Sequence, residues 1–262
     1  MATLTRPDGA EIYYQLLGNP NGRPPLVMIH GWCSNLELWT YQVRYFRKKH
    51  PILVLDRRGH GRSTTSGSGH DAATHAADIA AVTRAAGLKS VVAIGHAGGG
   101  AGTLEFIRAN PRLVKAGVLV DTGLATLPKL GDSGSSFGNL VAQMVETLKG
   151  PKSKSAFKEM YSRYFNSKGD RKANAKAVAD AAKTPDPVKI AELEGLIVDT
   201  AAIADDIVQP VLWMTAGAAD QSFIRSHLKN VGFAQVYGAN HFPHFEQPAQ
   251  ANAMIETFLS RI

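Results

Sequence analysis

Three glycine-containing stretches of this chain, and two aspartates, carry residue types that acyl transfer and proton transfer use. The first stretch is Gly95-His96-Ala97-Gly98-Gly99-Gly100, which follows the apolar run Ser90–Ile94 and leads into a helical pattern. Glycines at that density let a strand turn sharply into a helix. The second is His30-Gly31-Trp32-Cys33, directly after the apolar run Pro25–Ile29. The third, Gly238-Ala239-Asn240-His241-Phe242-Pro243-His244-Phe245-Glu246-Gln247-Pro248, holds two histidines. Imidazole titrates near neutral pH, so either can act as a general base if a carboxylate orients it. Asp220 stands a few residues beyond the apolar run Val211–Thr215, and Asp121 ends another such run. The methyl group of Ala97 cannot attack a carbonyl. Cys33 is the single cysteine, and a small packing residue is favoured over a nucleophile there. A phosphate cradle is the competing reading of the first stretch, but it lacks the G-x-G-x-x-G spacing and the Walker lysine.

These residues need a scaffold, and the apolar pattern supplies one. Pro25–His30, Ile52–Asp56, Ser90–Gly95, Ala116–Asp121, Val211–Thr215 and Ala234–Tyr237 are short apolar runs without polar alternation, as expected of parallel strands buried on both faces. Thr3–Thr5 and Glu11–Leu17 flank Pro7-Asp8-Gly9 and read as a hairpin. Helical spacing over Leu36–Lys49, Asp71–Ala86, Gly99–Asn110 and Gln247–Arg261 gives βαβ crossovers. About 90 residues separate Asp121 from Val211, too many for a structureless loop. Helical segments at Phe137–Leu148, Ser155–Phe165, Arg171–Ala182 and Val188–Leu196 fill that interval. The expected organisation is a core of residues 1–123 and 210–262 with a helical lid, 124–209, inserted after the sixth strand.

Spread over residues 25–248, these stretches resemble the α/β-hydrolase fold superfamily, of the serine ester and lactone hydrolase type. That resemblance implies an α/β fold with a mostly parallel eight-stranded sheet and helices on both faces. It sets Ala97 at the nucleophile position of the G-x-S-x-G elbow, and Trp32 and Gly98 N–H groups as the oxyanion hole. Position matching to G-x-G-H-x-P-x-x-E-x-P takes His241 as base over His244. Asp220, past the seventh strand, is favoured as the acid over Asp121, at the tip of the sixth. The turn Asp56-Arg57-Arg58-Gly59-His60-Gly61-Arg62-Ser63 matches D-x-R-G-x-G-x-S and is read as structural. The implied activity is hydrolysis of a carboxylic ester or lactone, present here in an inactive or substrate-trapping form. Two alternatives stay open: a cofactor-independent dioxygenase of the same fold, which the H-G-W-C loop resembles, and a non-catalytic ligand-binding receptor. No metal or organic cofactor is implied.

Composition narrows the partners. The formal net charge is +7, all of it accounted for by residues 149–183. Those cations are spaced along polar helical stretches and read as solvated helix faces, not as a nucleic-acid platform. The apolar runs are too short to cross a bilayer. The N-terminus lacks a secretory h-region, so a reducing cytoplasm is expected. The expected partner is a small ester or lactone, apolar or aromatic, contacted by Trp32, Phe137, Met160, Tyr164 and Phe242. Along the lid, Phe137, Met144, Phe157, Met160, Tyr161, Tyr164 and Phe165 recur at helical spacing, either facing a pocket or packing the lid on the core. Oligomeric state stays open.

Overall fold

The computed structural model describes residues 2–20, 23–126 and 136–262. An antiparallel hairpin, β1 (Ala2–Thr5) and β2 (Glu11–Gly18), opens the chain and joins the sheet edge by pairing β2 with β4 (Pro51–Leu55). The remaining strands are parallel: β3 (Leu26–Ile29), β4, β5 (Val91–His96), β6 (Val114–Val120), β7 (Val211–Thr215) and β8 (Val231–Gln235). The sheet order is β1-β2-β4-β3-β5-β6-β7-β8. This is the mostly parallel eight-stranded sheet the sequence implies.

The strands are apolar at consecutive positions because both sheet faces are covered. Val27, Ile29, Leu53 and Ala93 enter one core with α2 (Ala72–Ala85) and α3 (Gly99–Ala109), whereas Leu26, Met28, Ile52 and Ile94 enter a second. The second core is closed by α1 (Thr40–Phe46) and the C-terminal helix Pro248–Leu259. Asp71 caps α2, accepting the Thr74 N–H at 2.8 Å. The last strand lies earlier than Ala234–Tyr237, because pairing Val211 with Val231 fixes its register. Gly232 interrupts the apolar run there and hides the strand start from the sequence.

Between β6 and β7 run α4 (Ser136–Lys149), α5 (Ser153–Ser162), α6 (Arg171–Ala181), α7 (Asp186–Gly195) and α8 (Thr200–Asp205). Residues 127–135 of the expected lid lie outside the described residues. Val141, Met144, Phe157, Tyr161 and Leu193 from these helices pack on Trp32, Leu38 and Phe242 in a third apolar cluster. The short α8 packs instead against α3 and against α9 (Gln221–His227). Among the described residues no helix is long and apolar enough to cross a membrane.

Candidate active site

β5 runs into α3 through Ala97, whose φ of +47° lies in the left-handed region. For an alanine this conformation costs roughly 1–2 kcal/mol, so the surrounding structure must impose it. A Cβ at Gly99 would overlap the His30 carbonyl, and one at Gly95 would overlap Thr103. The turn closes only because both side chains are absent. A Cβ on Gly98 would lie 3.3 Å from the Trp32 nitrogen, so the donor peptides assigned from sequence stand side by side at the elbow.

His241 sits on the loop between β8 and α10 (Pro243–Glu246). Its Nδ1 donates to Asp121 Oδ2 at 2.8 Å, which leaves Nε2 as the acceptor of the neutral ring. Its backbone is held on two sides: the N–H donates to the Tyr164 carbonyl at 3.0 Å, and the carbonyl accepts from His96 Nε2 at 2.7 Å. Asp121, at the end of β6, also adopts a left-handed φ of +47°, and its second oxygen accepts the Ala216 N–H at 2.9 Å. Burial raises the Asp121 carboxyl, but the bonds from His241 and Ala216 outweigh it, so the net shift is downward and the group is ionised.

Asp220 is not brought to His241. It is fully exposed at the N-terminus of α9, where Oδ1 accepts the Phe223 N–H at 3.0 Å and the Ser222 hydroxyl at 2.8 Å. The reason is local: a short helix starts immediately after Asp220, and its orphan N–H groups claim the side chain. The turn after β7 therefore offers Asp121 a backbone N–H, and the carboxylate that orients the histidine comes from β6.

Two buried histidines frame the Trp32 loop. His30 Nε2 accepts the Arg57 N–H at 2.9 Å, so that nitrogen carries no proton and Nδ1 donates to the Gly31 carbonyl at 2.9 Å. His60 repeats the pattern, accepting the Cys33 N–H at 3.2 Å and donating to the Arg58 carbonyl at 2.9 Å. Burial holds His30 well below the usual histidine range and brings His60 down to about 4. Asp56 accepts the N–H groups of Leu36 at 2.8 Å and Arg62 at 3.0 Å, as a structural turn requires. Burial pushes the Cys33 thiol up, which makes it a poor nucleophile. His244 is buried beside Trp39, with ring centroids 4.3 Å apart, and burial brings it down to about 3.

A cavity of about 290 Å³ opens above the elbow, lined by Trp32, Ala97, Gly98, Asp121, His241 and Phe242 and walled by the covering helices. Phe137, Met144, Tyr161 and Tyr164 line it too, but Met160 does not and packs within the third cluster. Val141, Leu193, Leu196 and Thr122, which no sequence motif singles out, also face it. The 3.6-residue apolar periodicity of α4 and α7 was the available signal for the first three. Beside this cavity, His70, His75 and Glu192 approach one another closely enough to share an ion. Arg57 already pairs with the other Glu192 oxygen, so the charge of this carboxylate is matched by protein.

The chain belongs to the alpha/beta hydrolase fold family, which it matches over residues 24–248. Over 122 residues it is 41% identical to a non-heme chloroperoxidase of Streptomyces lividans, covering 46% of this chain and 44% of that protein. Over 112 residues it is 36% identical to a bifunctional esterase/perhydrolase of Acinetobacter calcoaceticus, covering 42% and 40%. A 2-heptyl-3-hydroxy-4-quinolone dioxygenase of Rhodococcus erythropolis is 27% identical over 128 residues, 47% of each chain. Each match spans less than half of the curated relative. The fold is also that of the enol-lactonase from Burkholderia xenovorans LB400, with a TM-score of 0.86 at 16% identity, covering 99% of this chain and 100% of that one.

Proposed function

We propose that this chain is the nucleophile-lacking form of a carboxylic-ester or lactone hydrolase, able to bind its substrate but not to acylate on it. The observation that carries the reading is His241 bonded to Asp121 in an apolar cavity whose elbow residue is Ala97. With serine at 97, the hydroxyl attacks the ester carbonyl and His241 Nε2 takes its proton. Trp32 and Gly98 N–H groups hold the oxyanion, which collapses to an acyl-enzyme as His241 protonates the departing alcohol. Water, deprotonated by His241, then releases the acid and restores the serine. Segment 124–209 acts as the lid, and its apolar lining favours an apolar or aromatic substrate. A location in a reducing cytoplasm accords with the one buried thiol.

The test is a panel of aryl esters and aromatic lactones with this chain and with Ala97→Ser side by side. Ala97→Ser should turn over at least about a thousandfold faster, because loss of a triad nucleophile typically removes several orders of magnitude. Two inert proteins would sink the hydrolase reading.

One observation favours a second reading. The match to the quinolone dioxygenase suits a chain in which a His–Asp base and anion-holding N–H groups need no serine. His241 would then deprotonate a hydroxyl on an aromatic substrate before oxygen adds. Oxygen uptake with a 3-hydroxy-4-quinolone, abolished by His241→Ala and indifferent to Ala97→Ser, would establish it. Tight binding of such ligands with neither activity would mark a receptor.

A further inference from the structure

The Trp32 loop is held from both the sheet and the covering helices. On the sheet side, the Gly31 carbonyl, which shares a peptide with the Trp32 N–H, accepts from His30 Nδ1 at 2.9 Å and from the Ser34 N–H at 3.3 Å. The next peptide is held differently. Its carbonyl, on Trp32, accepts the Tyr161 hydroxyl at 3.2 Å and the Ser34 hydroxyl at 3.4 Å, and these two hydroxyls lie 2.9 Å apart. The Trp32 indole N–H donates to the Lys189 carbonyl at 3.0 Å. Tyr161 belongs to α5 and Lys189 to α7, and both are buried. Cys33, between these bonds, has a φ of +52°. A cysteine does not prefer this conformation, so its partners must keep it there. When they let go, the Trp32–Cys33 peptide is free to rotate, and the Gly31–Trp32 peptide that carries the Trp32 N–H is held from the sheet side alone.

We propose that Tyr161 is a positioning residue for the oxyanion hole: by holding the Trp32 carbonyl, its hydroxyl makes seating of the covering helices on the sheet a condition for the Trp32 N–H to face the elbow. This rests on the reading of Trp32 and Gly98 as oxyanion donors. Tyr161→Phe keeps the ring that packs on Trp32 and Phe157 and removes only the hydroxyl, with its bond to the Trp32 carbonyl and its contact with the Ser34 hydroxyl. Ser34→Ala loosens the same carbonyl from the sheet side, outside the cavity lining, and is read in the same way if Tyr161→Phe fails to fold.

Three readouts decide it. In the Ala97→Ser protein, Tyr161→Phe should lower kcat on an aryl ester at least tenfold with KM within twofold, since the hole acts on the transition state and not on the bound ester. In the chain as it stands, calorimetry should find 4-phenylbutyrate weakened at least fivefold and 4-phenylbutanol within twofold. Hydrogen exchange over residues 30–35 should accelerate while that of β5 and β6 stays unchanged. Equal loss for the acid and the alcohol, or a matched change in kcat and KM, would mean a merely structural contact and overturn the proposal. So would unchanged exchange of the loop. If Ala97→Ser is inert on esters, the hydrolase reading falls by itself, and the ligand pair and the exchange still decide the role of Tyr161.

Discussion

Asp121 and Asp220 are the same residue type at the ends of neighbouring strands, and their surroundings separate them. Asp121 is mostly buried, takes one N–H from the β7 turn and one from His241, and so orients the imidazole. Asp220 spends both its bonds on the first turn of α9. In the Ala97→Ser protein, Asp121→Asn should therefore lower kcat by about 10²- to 10⁴-fold, the scale of a triad acid. Asp220→Asn should leave kcat within about threefold, and Asp220→Ala should lower the urea midpoint slightly through the lost cap. Steady-state kinetics and urea unfolding of the three variants check both statements. A kcat that falls with Asp220 and not with Asp121 would reverse the assignment.

At the scale of elements, the site is a set of strand ends. β3 delivers the Trp32 loop, β5 the elbow and β6 the acid, all on one sheet edge, because parallel strands place their C-terminal ends together. The elbow works only while α3 lies against β3, and Gly99 is where they touch. Gly99→Ala should cost about 3 kcal/mol, since the clash is with the His30 backbone and not with a flexible side chain. That corresponds to a fall in Tm of roughly 6–12 °C, and calorimetry of the otherwise unchanged chain measures it. The apolar runs announced β3, β5, β6 and β7 in the sequence, because a strand covered on both faces must be apolar throughout. The start of β8 and the seven-residue α9 left no comparable pattern, being an edge strand and a helix too short for a period to register.

Across the whole molecule, the buried histidines set the response to acid. His30 and His96 are held well below their ordinary range by burial, and His60 and His244 are brought to about 4 and about 3. In the unfolded chain each titrates near 6.5. Between those values the unfolded state binds more protons, so stability falls as pH drops below about 6.5, on the order of 1.4 kcal/mol per pH unit for each histidine. Glu192, raised by burial but lowered more by Arg57 and the histidines around it, ends well below its usual range. Its contribution is present above the carboxylate range and fades only at lower pH. The guanidinium midpoint should thus be steady from pH 8 to 7 and fall steeply from pH 6 to 5, with uptake of two or more protons on unfolding. A midpoint flat to pH 5 would contradict the neutral, buried assignment. The sequence by itself determined the doubly covered parallel sheet, the glycine-rich elbow with its alanine at 97, and His241 as the candidate base, because hydrophobic period and glycine spacing are written locally along the chain. Which aspartate serves His241, which lid residues face the cavity and what holds the Trp32 peptide were decided only by tertiary structure, because each depends on bonds between residues about a hundred or more positions apart, where a helix cap or a neighbouring N–H competes for the same side chain.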